Sequence, residues 1–123
     1  MPNIIKLHTE FTFDSAHKLE GYKGKCASTH GHTWKMELDI FGDKKFKDKV
    51  GILIDFGIVK KLKEELDHKY LNDVIKMNPT AENLSEWIYN RLKYKIKNKQ
   101  IDIHIRLYET AVGKETYCDY GDF

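Results

Sequence analysis

The chain has 123 residues, enough for one domain with a true hydrophobic core. Its 21 Lys and Arg against 19 Asp and Glu leave a net charge of +2, too balanced for a general attraction to nucleic acid or to a membrane surface. The opening MPNIIKLHTE holds no apolar run of signal-peptide length, and no later stretch approaches the ~20 residues of a membrane span, so a cytoplasmic protein is expected.

From Ile4 to His17 the side chains alternate, with Ile5, Leu7, Phe11, Phe13, Ser15 and His17 on one parity and Lys6, His8, Glu10 and Asp14 on the other. Period two predicts a strand with one buried face. The pattern returns at His30, with His32, Trp34, Met36, Leu38 and Ile40 sharing its parity, and predicts a second strand. The intervening KLEGYKGKCAST, rich in Lys and Gly, suits an exposed loop between antiparallel strands. Asp55 then stands where it can cap a helix with Val59, Leu62 and Leu66 on its inner side, ending near LDHKYLN. Asn78-Pro79-Thr80 supplies a turn and a Thr80 cap for a second helix, buried through Leu84, Trp87, Ile88 and Leu92. Ile101, Ile103, Ile105 and Leu107 alternate again, and ETYCDY reads as the strand that completes a second hairpin. The order ββααββ is an α+β layout, with no internal repeat and no linker that would divide residues 1–123.

His30 and His32 flank one glycine, so on a strand both imidazoles project from the same side, with Gly31 leaving space between them. His17 ends the first strand on its apolar parity. If the two strands pair antiparallel, three imidazoles meet at one rim. Three histidines with a free fourth position form the ligand set of a catalytic zinc ion, whereas structural zinc sites are closed by four protein ligands. His8 and His104 fall on the polar parity and carry no assigned role.

Three other residues draw notice. Cys26, in the Lys-rich loop, is a fourth metal ligand, a thiolate base beside the metal, or a plain loop residue; in a reducing compartment a disulfide to Cys118 is not expected. Asp67 and His68 end the first helix, either as a carboxylate orienting an imidazole or as a solvated helix end. Glu109 continues the inward parity of Ile101 to Leu107, which aims a carboxylate into the core layer, where it needs a cation or a ligand with paired N–H donors. A slip of parity at the strand end would put it in solvent instead.

The series FDSAH (13–17), Cys-x3-HGH (26–32), Asp55-Phe56, LDHKYLN (66–72), NPTAENL (78–84) and YET (108–110) resembles the 6-pyruvoyl-tetrahydropterin synthase / 6-carboxy-tetrahydropterin synthase family over nearly the whole chain. That resemblance implies the tunnelling fold, ββααββ subunits with an antiparallel sheet and two helices on one face, assembled as a homohexamer from two trimers. It implies zinc on His17, His30 and His32, Cys26 as base, Asp67 and His68 as its relay, and Glu109 as the anchor of a pterin ring. Three residues between Cys26 and His30 resemble the queuosine-pathway branch. The reaction implied is conversion of 7,8-dihydroneopterin triphosphate to 6-carboxy-5,6,7,8-tetrahydropterin, acetaldehyde and triphosphate. The alternative within the family is 6-pyruvoyl-tetrahydropterin formation, without carbon–carbon cleavage. A reading of another class is a structural zinc module that docks a partner, for which chelation would unfold the domain.

Overall fold

The computed structural model describes residues 1–24, 27–113 and 115–123. Strands β1 (Ile4–His17) and β2 (His30–Asp43) pair antiparallel along their whole length, from Ile4 opposite Asp43 to His17 opposite His30. Strand β2 continues three residues past Ile40 and runs into a 3-10 turn at Lys44–Phe46, capped by the Asp43 side chain. Helix α1 (Gly57–Leu66) follows, then a two-residue strand β3 (Lys69–Tyr70), a single turn α2 (Leu71–Val74), helix α3 (Ala81–Lys95), and strands β4 (Asp102–Tyr108) and β5 (Cys118–Gly121). The sheet order is β3-β1-β2-β4-β5.

The sheet is antiparallel except at one edge, where Lys69 and Tyr70 lie parallel to Ser15 and Ala16 of β1. The helix ends where expected, at Leu66 at the start of LDHKYLN, but the residues that follow unexpectedly join the sheet. The cause is tertiary. The buried Ser15 hydroxyl donates to the Leu66 carbonyl and accepts from the Lys69 amide at 3.2 Å, which ties the helix exit to β1. A strand of two residues has no periodicity of its own to announce it.

The core forms where one parity of each long strand meets the helices. Phe13, Trp34, Met36, Leu38, Ile103, Ile105 and Leu107 are buried beneath Leu62 and Leu66 of α1 and Leu84, Ile88 and Leu92 of α3. Each such side chain contributes about 1.5–3 kcal/mol of burial. Both expected caps are present in some form. Thr80 accepts from the Asn83 amide at 3.1 Å, and Asp55, one residue before the N-cap Phe56, accepts from the Gly57 amide at 2.8 Å. Trp87 is only partly buried, at the margin of the core. The opposite parity of the sheet carries Lys6, His8, Glu10, Glu37, Asp39 and Arg106, and no helix among the described residues covers it. No helix among the described residues is long and apolar enough to cross a membrane.

Candidate metal and pterin site

The pairing of His17 with His30, and of Ser15 with His32, follows from the register that buries Phe13 opposite Trp34. Slipping it by one residue would turn the whole apolar face of β1 outward. Residues directly opposite share a face, so the three imidazoles converge on the helix side of the sheet at the strand ends, with His17 fully buried. One ligand nitrogen from each of His17, His30 and His32 lies within 4.8 Å of the others. Trp34 floors the group, with ring centroids 5.1 Å from His17 and 5.7 Å from His32.

Hydrogen bonds to the backbone fix which nitrogen faces inward. His17 Nδ1 stands 2.7 Å from the Pro79 carbonyl and His30 Nδ1 stands 2.7 Å from the Ser28 carbonyl. A carbonyl only accepts, so each Nδ1 carries the proton and each Nε2 of a neutral ring presents a lone pair. Those two Nε2 atoms are 3.1 Å apart. The His32 Nε2 is buried and has no hydrogen-bond partner. Burial pushes the His32 imidazolium pKa down, with the neighbouring His17 and His30 acting the same way against the attraction of Glu109, so the ring favours its neutral, ligating form. The facing lone pairs of His17 and His30 at 3.1 Å repel unless a cation sits between them, and His32 lies within 4.8 Å of both. The donor set fits a borderline metal that takes imidazole nitrogen.

Glu109 stands beside this group. Its carboxylate oxygens lie 3.7 Å from His17 Nε2 and 3.6 Å from His32 Nε2, and its side chain is 40% exposed. The expectation of a carboxylate aimed into the core layer is half right: the side is correct, the burial is not. Strand β4 ends at Tyr108, opposite Lys35, yet the Ala111 amide donates to the Thr33 carbonyl at 2.8 Å. Three residues on one chain thus match two on the other, a bulge that swings Glu109 toward the histidine rim. On its far side opens a cleft of about 820 Å³, lined by Leu19, Tyr22, Thr80, Leu107 and Tyr117 as well as Glu109.

Asp67 and His68 form a pair of their own. Asp67 caps the C-terminus of α1 and His68 takes a left-handed conformation, φ 56°, to bring the chain into β3. Asp67 Oδ2 lies 3.1 Å from His68 Nδ1, and Asp67 Oδ1 accepts from the Asp14 amide at 2.9 Å. That amide hydrogen bond, aided by His68, holds the Asp67 carboxyl below the usual range. His68 is 79% exposed and makes no contact with the histidine trio, although it shares the lining of a shallow depression with Gly31, His32 and Thr33. Gly31 faces that depression with open space where a Cβ would be, so its smallness is not needed to part the histidines. Cys26 lies outside the described residues. Cys118 is a free thiol in β5.

Several supporting groups have no signature in the spacing of chemical residues. The carbonyls of Pro79 and Ser28 are backbone. Asn72 bonds both the amide and the carbonyl of Lys18, at 2.9 and 2.8 Å, and Asn78 does the same for Glu20 at 2.8 Å each. These amide side chains imitate strand pairing and hold the segment leaving His17. For Asn78 the available signal was its place in a turn directly before Pro79; Asn72, in α2, had none.

A five-stranded sheet with helices on one face and three convergent histidines at a strand-end rim defines a tunnelling-fold protein with a candidate metal centre. Residues 6–120 match the profile of the 6-pyruvoyl tetrahydropterin synthase family, and the chain belongs to that family of enzymes. A relative from Haemophilus influenzae named 6-carboxy-5,6,7,8-tetrahydropterin synthase is 35% identical across 97% of this chain and all of its own length. One of the same name from Synechocystis is 34% identical over 71% of this chain and 74% of its own. Among solved structures, 6-pyruvoyl tetrahydropterin synthase from Caenorhabditis elegans superposes over the full length of both chains with a TM-score of 0.74 at 22% identity, a likeness of fold.

Proposed function

We propose that residues 1–123 act as one domain that converts 7,8-dihydroneopterin triphosphate and water to 6-carboxy-5,6,7,8-tetrahydropterin, acetaldehyde and triphosphate, with zinc as cofactor, in the cytoplasm and as a homohexamer of two trimers. The names of the Haemophilus and Synechocystis relatives support the product. The observation that carries the reading is the convergence of three imidazole Nε2 atoms, two of them committed to the lone-pair form by carbonyls of Pro79 and Ser28 and the third buried without a partner.

In this reading His17, His30 and His32 hold zinc through Nε2, and the bound ion supplies a Lewis acid that acidifies the side-chain hydroxyls of the substrate. Glu109 accepts the paired N–H groups of the pterin ring edge, a charge-assisted recognition for which its half-exposed position beside the cleft is suited. Cys26, as thiolate, takes protons from the side chain. Asp67, kept ionised by the Asp14 amide, holds the proton of His68 on Nδ1 and leaves Nε2 to accept and return protons. The exposure of His68 and its distance from the trio's contacts favour a site completed between subunits, as does the uncovered charged face of the sheet.

The test is incubation of zinc-loaded protein with 7,8-dihydroneopterin triphosphate and mass identification of the pterin. The 6-carboxy product with release of acetaldehyde is expected. A 6-pyruvoyl product without acetaldehyde would move the chain to the other reaction of its family. Chelation is expected to abolish turnover with the fold intact; unfolding on chelation would favour a structural zinc module.

A further inference from the structure

The position of Glu109 against the histidines serves more than recognition of a ring. In a tetrahedral site with metal–ligand bonds of about 2.0–2.1 Å, neighbouring ligand atoms stand about 3.4 Å apart. The two carboxylate oxygens of Glu109 lie 3.7 and 3.6 Å from the Nε2 atoms of His17 and His32, close to that tetrahedron edge, and His17 and His30 stand 3.1 Å apart. An anchor meant only for a ligand in the cleft would be directed away from the imidazoles. This carboxylate instead lies against His32 Nε2, a buried ring nitrogen that has no hydrogen-bond partner.

We propose that Glu109 is an exchangeable fourth metal ligand: it closes the three-histidine centre while no substrate is bound, and leaves the ion when a pterin ring offers its N–H edge. The idea rests on the proposed zinc site and deepens it. One carboxylate cannot serve the ion and the ring edge at once, so ring binding and closure of the centre compete. By linkage, whatever factor the ring removes from zinc affinity, zinc removes from ring affinity. The arrangement frees a coordination position for the substrate side chain only when the ring is in place. It also accounts for a carboxylate that is both beside the ligand cluster and 40% exposed at the cleft, because exchange needs room to swing.

The experiment uses the full-length protein and two metals. Zinc affinity is measured by competition with a chromophoric chelator, and the visible absorption of the Co²⁺-loaded protein reports its ligand set. Glu109→Gln is expected to weaken zinc about tenfold or more, within the range of groups that support a metal site, and to alter the Co²⁺ spectrum. Adding 2-amino-4-hydroxypteridine, the ring without a side chain, to the wild-type Co²⁺ protein is expected to shift its spectrum toward that of Glu109→Gln. Glu109→Asp keeps the charge but shortens the reach. It should resemble Glu109→Gln if the carboxylate ligates, and wild type if the effect is only charge at a distance, which would overturn the proposal. Equal affinity and identical spectra for wild type and Glu109→Gln would overturn it as well. So would a Cys26→Ala spectrum carrying the change expected of Glu109→Gln while Glu109→Gln matches wild type. Failure of any metal to bind wild type would sink this inference and the zinc reading together, whereas tight binding indifferent to residue 109 would sink this inference alone.

Discussion

Strands β1 and β2 carry two histidine-bearing clusters, one on each face of the sheet, and both have the spacing of a metal site. On the helix side stand His17, His30 and His32; on the open side stand His8, Glu10 and Glu37. They differ in what the ring nitrogens meet. His8 Nδ1 lies 2.6 Å from Asp39 Oδ1 and its Nε2 lies 3.1 Å from Glu10 Oε2, so a proton on each nitrogen satisfies both carboxylates. The Asp39 hydrogen bond, then that of Glu10, raises the His8 pKa, and the cluster balances its charge with a proton. In the trio the Nδ1 atoms of His17 and His30 are already spent on carbonyls, their Nε2 atoms face each other, and His32 Nε2 is buried without a hydrogen-bond partner. The same residue type at similar spacing is a salt-bridge ladder in one place and a ligand set in the other. The second nitrogen of each ring decides which.

The largest effect expected from that comparison is at His30. It is partly exposed, so His30→Ala leaves the core in place while removing one of three ligands. Zinc binding energies of roughly 10–16 kcal/mol for four-ligand sites put each ligand near 3 kcal/mol, so affinity should fall at least about a hundredfold. Metal analysis after dialysis should show zinc near one per chain in wild type and near zero in the variant, with turnover at background. Retention of the metal would break the distinction between the two clusters.

Next comes Asp67. Asp14, Asp67 and His68 form a third group at metal spacing, but here too each carboxylate oxygen of Asp67 has a donor, the Asp14 amide and His68. Asp67→Asn keeps an oxygen for the Asp14 amide. Turnover should fall about 10²–10⁴-fold, the range of a lost proton-transfer group, with zinc content unchanged. The Asp67 carboxyl has a depressed folded pKa, so its stabilisation is present above the unfolded value near 3.9 and is lost as pH falls through the folded one. Thermal melts of wild type and Asp67→Asn should therefore converge as pH falls below the unfolded value near 3.9 and through the lower folded one. Loss of zinc in this variant would make the third group the metal site.

Legibility in the sequence follows the same line between side chains and backbone. Runs of period two from Ile4 to His17 and from His30 to Ile40 located β1 and most of β2, and with them the shared face of His17, His30 and His32, because the register that buries Phe13 against Trp34 also sets His17 against His30. Parity carried Glu109 to the correct side. It could not carry the offset between Tyr108 opposite Lys35 and the Ala111 amide on the Thr33 carbonyl, which is a matter of register between two segments of the chain. Strand β3 was invisible because a Ser15 hydroxyl, fifty residues away, creates it. The Pro79 and Ser28 carbonyls that set the tautomers have no side chain to read.

The backbone support can be tested through Asn78. Its amide clamps Glu20, and its own carbonyl accepts from Asn83 Nδ2 at 2.9 Å, which fixes the turn that presents the Pro79 carbonyl to His17. Asn78→Ala removes two hydrogen bonds of about 0.5–1.5 kcal/mol each, at the lower end because the clamp is exposed. A melting temperature lower by several degrees is expected, with zinc affinity reduced up to about tenfold as His17 loses its orienting partner. An unchanged affinity would mean that strand register alone aims the ring.

The smallest effect is expected at the comparison's other pole. His8→Ala should leave zinc content and turnover as they are, since Asp39, Glu10, Glu37, Lys6 and Lys35 around it are a charge ladder and not a ligand set. What it should change is stability with pH. The folded pKa of His8 is raised, so its contribution is fully present below the unfolded value near 6.5 and disappears as pH rises through the folded one. The side chain is 45% exposed, and solvent screening holds the effect below about 1 kcal/mol. Melts at pH 5.5 should place the variant a few degrees at most below wild type, with the gap closed by pH 9. A gap that instead widened with pH would mean that His8 is neutral between its two carboxylates. The open-face cluster would then lack the proton that balances it, and would have the same claim on a cation as the trio across the sheet.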